Sequence, residues 1–210
     1  MRSKPALLAL AAALLAGCGR DATAPAASEL GSADAALLAE ELDVLTSTVL
    51  GAQIGSLVFA LPDNAEPVPI NRSFTGTRQC PAGGSVAVAG TASGELDWAA
   101  RSLTIETTAT RTENACAIPA RKQGGATLTL NGNPNVVVTG RQKIVAGQPV
   151  GPQTLTQKGG FTWSSSDGRS GSCTLDLTST LDFATQTYTV KGTMCGQTVD
   201  VSKHGVRPGR

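Results

Sequence analysis

The chain has 210 residues, 40% hydrophobic but only 3% aromatic, with 17 Lys and Arg against 16 Asp and Glu and a single histidine. That balance of charge argues against a nucleic-acid surface, and one histidine leaves almost no material for a Ser-His-Asp or Cys-His arrangement or a multi-histidine metal site. The length suits one domain with a core of its own.

Residues 1–17 read as a signal peptide, because Arg2 and Lys4 form a positive n-region and Pro5 to Ala16 an apolar stretch too short to span a bilayer. The stretch closes on "LAGC", Leu15 to Cys18. This tetrapeptide resembles the lipobox of bacterial lipoproteins: a branched apolar residue, two small residues, then cysteine. The resemblance covers only the first 18 residues. It implies that the Cys18 thiol is diacylated, that the peptide is cut before it, and that the membrane is a partner through this anchor. Each buried CH₂ contributes about 0.8 kcal/mol, so two or three acyl chains hardly dissociate. Gly19 stands where the family's inner-membrane retention signal places Asp, which implies sorting to the outer membrane, with the leaflet left open. Loss of Arg2 and Lys4 with the signal would leave a formal net charge of about −1.

Residues 18–31, rich in Ala, Ser and Pro, suit a flexible tether. Residues 32–51 then place Leu37, Leu38, Leu42, Leu45 and Val49 at helical spacing, with Ser32 or Asp34 available as N-cap and Gly51 as the stop. One amphipathic helix is expected there, its stripe packed on the body. Its polar face, with Asp34, Glu40, Glu41 and Asp43, is acidic and would be repelled by anionic lipid.

Residues 52–203 read as a single β-rich domain, and from about Val68 they break into short alternating runs separated by glycine, such as "SVAVAG", "SLTIETTATRT" and "CTLDLTSTLDF". Period-two alternation between turn signals predicts antiparallel strands with one buried and one solvated face. The expected fold class is all-β, an antiparallel sandwich or barrel of about eight to ten strands preceded by the amphipathic helix. With two Trp, one Tyr and four Phe in the chain, the core must be built from Val, Leu, Ile and Ala. Residues 204–210 are a short basic tail holding the one histidine, His204.

Glu95 to Ile105 and Thr180 to Val190 resemble each other, with Trp98 aligned to Phe183. Each reads as a hairpin, and alternation sets Leu96 opposite Leu103 and Leu181 opposite Tyr188. Without Cys18, Cys80, Cys116, Cys173 and Cys195 remain, an even set in an exported chain. The pairs Cys80–Cys116 and Cys173–Cys195 each bracket one hairpin symmetrically and are the expected disulfides. Strand parity opposes the second pair unless a one-residue bulge intervenes, with Gly192 the candidate.

The search for chemistry is mostly negative, and no enzyme activity, cofactor or metal is expected. Glu95 with Asp97, and Asp176 with Asp182, share a strand face, but alternation predicts that face is solvated. The best candidate binding surface is Phe161, Trp163, Asp167 and Arg169, an aromatic pair beside a charged pair. The same residues also fit a strand ending in an Asp-Gly turn with Trp163 in the core, and that reading is preferred.

These observations favour a lipid-anchored envelope protein with a non-enzymatic structural or interaction role toward an envelope protein or glycan. The alternative is a carrier of a small apolar ligand in a β-cavity, and a carboxylate enzyme comes last. A cavity of several hundred cubic ångströms would favour the carrier. A filled core is expected, since the apolar residues are small and few.

Overall fold

The computed structural model describes residues 30–59, 66–119, 125–132 and 135–205. The signal peptide, the lipobox with Cys18, most of the 18–31 tether and residues 206–210 lie outside them.

Among the described residues a single helix, α1 (Ser32–Phe59), precedes the strands. The Leu37, Leu38, Leu42, Leu45 and Val49 stripe is buried as its spacing predicts. The helix does not stop at Gly51, however. Gly51 has no positive φ and continues the helix, and Ile54 one turn later packs against the core. The acidic face is also redistributed: Asp43 and Glu40 are buried at 2% and 9% exposure, turned toward the strands rather than solvent.

The strands are β1 (Val68–Gln79), β2 (Ser85–Asp97), β3 (Ser102–Asn114), β4 (Cys116–Pro119), β5 (Thr127–Asn131) and β6 (Val136–Val145), followed by β7 (Gln148–Pro149), β8 (Gln153–Ser165), β9 (Ser170–Asp182), β10 (Thr187–Met194) and β11 (Gln197–His204). They form one 11-stranded antiparallel sheet with the main order β1-β2-β3-β6-β8-β9-β10-β11, while β4 pairs β5, β5 pairs β8 and β7 pairs β6. The expected sandwich or barrel of about eight to ten strands is therefore corrected to an open sheet. Neither β1 nor β11 closes on the other.

The open sheet is curled. Glu40 of α1 pairs with Lys203 of β11, and Val49 packs on Gly76 of β1, so residues about 14 Å apart on the helix axis reach both edges. Eight strands laid flat would separate those edges by about 34 Å. The helix thus takes the place of the missing closure, lying across the inner face with β1 and β2 on one side and β10 and β11 on the other.

Both hairpins have the expected register, with Leu96 opposite Leu103 and Leu181 opposite Tyr188. Both disulfides, Cys80–Cys116 and Cys173–Cys195, are formed. The bulge expected at Gly192 is absent, since β9 and β10 stay in uninterrupted register to Met194 opposite Leu175. Cys195 instead occupies the two-residue turn between β10 and β11, at φ 53° beside Gly196 at φ 77°. That left-handed pair is the twist a tight hairpin demands, and it removes Cys195 from the parity of the strand. His204 ends β11 rather than opening a tail. Two disulfides are the mark of an oxidising, extracytoplasmic compartment. Among the described residues no helix is long and apolar enough to cross a membrane.

Candidate ligand cavity

The residues singled out from the sequence do not assemble into one site. Phe161 and Trp163 share the inner face of β8 and are buried at 0% and 3% exposure. Asp167 and Arg169 sit in the solvated turn after β8, where the Arg169 guanidinium donates from Nε to Asp167 Oδ2 at 2.9 Å. The carboxylates on the outer face have structural tasks. Asp176 pairs with Lys158 at 3.0 Å, and Asp97 accepts the Ala100 amide at 2.8 Å. Asp182 accepts the amides of Ala184 and Thr185, at 2.8 and 3.2 Å. The Thr185 and Ala184 amides hold its carboxyl below the usual range. Glu95 is exposed. Nδ1 of His204 lies 3.2 Å from the Thr187 hydroxyl.

What sequence reading missed is a buried polar network between α1 and the sheet. Asp43 Oδ1 accepts from Gln157 Nε2 on β8 and from Ser179 Oγ on β9, each at 2.7 Å, and Oδ2 accepts from the Tyr188 hydroxyl on β10 at 2.6 Å. The Gln157 side-chain carbonyl in turn accepts from Arg111 Nη1, which also donates to Thr46 Oγ1 at 3.2 Å. Arg111 Nε donates to Glu113 Oε1 at 2.6 Å, both side chains being fully buried. Burial pushes the Asp43 carboxyl up, against the opposing pull of Tyr188, Ser179, Arg111 and Gln157. Burial, followed by the adjoining Asp43 charge, pushes the Tyr188 hydroxyl up as well.

Beside this network lies a cavity of about 320 Å³ between α1 and the inner face of the sheet. The filled core expected from the sequence is thus corrected. Small apolar residues leave the space unfilled where two rows of the sheet cross beneath the helix. One row runs Thr107, Gly140, Leu155, Ser179 across β3, β6, β8 and β9. Gly140 supplies no side chain at all, and a Cβ there would come within 3.1 Å of Leu155 Cδ1. On the helix side the wall includes Val44, Ser47, Leu50, Gly51 and Ile54, where Ser47 and Gly51 again are small. A Cβ placed on Gly51 would meet nothing within 4 Å. Much of the lining is apolar, with Ile105, Leu155 and Leu181 facing Leu50 and Ile54. Val44, 48% exposed, marks where the cavity opens to solvent.

The other half of the inner face is filled. Phe161, Trp163, Val136, Val138, Leu175, Leu177 and Met194 pack with the helix into the main core, close to the two disulfides. Asp43 stands at the boundary, belonging both to the network and to the cavity wall. No family model, curated protein or solved structure matches this chain.

Proposed function

We propose that this is a non-enzymatic envelope protein, held at the outer membrane by lipid on Cys18, which binds a small apolar molecule between α1 and the sheet. The observation that carries the reading is the cavity of about 320 Å³, within the range of small-molecule sites and mostly apolar in its walls. The outer-face carboxylates serve turns and ion pairs, which favours a carrier over a carboxylate enzyme. The lipid anchor rests on the resemblance of Leu15 to Cys18 to a lipobox.

The binding reading is tested with a neutral apolar fluorophore such as N-phenyl-1-naphthylamine. The parent protein binds it with a blue-shifted, enhanced emission, and Gly51→Leu, which places a side chain in open space on the cavity wall, weakens binding at least about tenfold. Absence of any binding by a folded parent ends the carrier reading and leaves the structural or interaction role. The anchor is tested separately: Cys18→Ser releases the protein from the membrane fraction and blocks processing, and an unlipidated mature chain in mass spectrometry overturns it.

A further inference from the structure

We propose that the cavity selects an amphiphile whose head is uncharged and hydrogen-bonding, an ester, amide or hydroxyl, and that the side-chain amides of Gln142 and Gln153 receive it. This deepens the proposed binding function and rests on it.

The argument starts from the charges in the wall. The described lining has Glu40, Asp43, Arg141 and Lys203, and each is already engaged. Lys203 pairs with Glu40. Both oxygens of Asp43 are occupied by Gln157, Ser179 and Tyr188. Arg141 lies on the outer face, 67% exposed in its side chain and 3.7 Å from Glu106. A charged head drawn into this space would lose its hydration without meeting an uncommitted counter-charge, which is strongly unfavourable.

Uncharged hydrogen-bonding groups are present instead. Arg141 opposite Thr154 is the last pair of that part of the β6–β8 ladder. Gln142 and Gln153 are the next residue on each strand, one step beyond that last pair, and both fall on the wall of the same cavity. Their apolar neighbours in the same row are Ile105, opposite Gln142, and Leu181, opposite Gln153. Both residues are half-buried, both line the cavity, and no hydrogen bond within the described residues engages either side chain. Two amides bring donors and acceptors together, which suits a carbonyl or hydroxyl head, while Leu50, Ile54, Leu155 and Leu181 accept the chain.

The test uses the full chain and three amphiphiles of equal chain length, a monoacylglycerol, a fatty acid and an alkylammonium, each competing against the neutral fluorophore. The monoacylglycerol is expected to displace it at least about tenfold more effectively than either charged compound. Gln142→Leu and Gln153→Leu are expected to erase that preference, the monoacylglycerol then competing no better than the charged compounds when each is scaled to the variant's own fluorophore affinity. A fatty acid or alkylammonium that competes as well as the monoacylglycerol overturns the inference while the binding function survives. A preference that persists in both leucine variants overturns the role of the amides. Failure of fluorophore and amphiphiles alike removes the binding function and this inference with it.

Discussion

The carboxyl of Asp43 on α1 accepts a hydrogen bond from the Tyr188 hydroxyl on β10 across 2.6 Å and 145 residues of sequence. With Gln157 and Ser179 on the same carboxyl, this one side chain joins the helix to β8, β9 and β10. Removing it strands buried donors, each worth about 1–3 kcal/mol when left unsatisfied. Asp43→Ala is therefore expected to lose about 3–5 kcal/mol, and Asp43→Asn much less, because Asn keeps an acceptor for Gln157 and Ser179 and offers Tyr188 a donor. Urea unfolding of the two variants measures the difference, and a loss below about 1 kcal/mol for Asp43→Ala would show that the carboxyl is not the link.

The same residue gives stability a sign with pH. Burial raises the carboxyl above its ordinary 3.8, so the folded chain holds that proton more tightly than the unfolded chain. The contribution is complete below the unfolded value and is lost as pH rises through the folded one. Relative to Asp43→Asn, the parent should lose stability as pH rises above about 4, the ordinary carboxyl value. Asp182, whose carboxyl is lowered by the Thr185 and Ala184 amides, acts in the opposite sense, so the comparison with Asp43→Asn is what isolates Asp43. A difference between the two proteins that stays constant with pH would contradict the assignment.

Local pattern carried the strands, the hairpin registers and the disulfide partners, because alternation and turn chemistry act over a few residues. The alternation of "SLTIETTATRTEN" even sets Arg111 and Glu113 on the face of Leu103 and Ile105, so parity alone could have revealed a buried ion pair. It was hidden because a charged side chain is buried only when distant partners exist, and Thr46 and Gln157 lie far off in sequence. Closure of the sheet was equally out of reach. Whether the edges meet depends on curl summed over all strands, and here the helix fills the gap. The cavity follows from coincidence of small residues, Gly140 and Thr107 on the sheet with Ser47 and Gly51 on the helix, which no single segment displays.

Trp163 tests the filled half of the inner face. At 3% exposure within the main core, its replacement by Ala should cost about 3–5 kcal/mol through lost burial and a residual void. Arg169→Ala, which removes a solvated ion pair with Asp167, should change stability by less than about 1 kcal/mol. A thermal melt of Trp163→Ala that coincides with the parent would mean that the indole is not part of the core.

Gly51 distinguishes the helix as the sequence suggests it from the helix as it is. If the chain stopped there in a left-handed cap, a Cβ would be strained and Gly51→Ala would destabilise the protein. The helix instead continues to Phe59, Gly51 has no positive φ, and a Cβ there meets nothing within 4 Å. Glycine within a helix is less favourable than alanine by about 0.5–1 kcal/mol. Gly51→Ala is therefore expected to raise stability by that amount in urea unfolding, with added methyl volume far too small to block the cavity. A lower midpoint would place the helix end at Gly51 and detach Ile54 from the wall that α1 presents to the sheet.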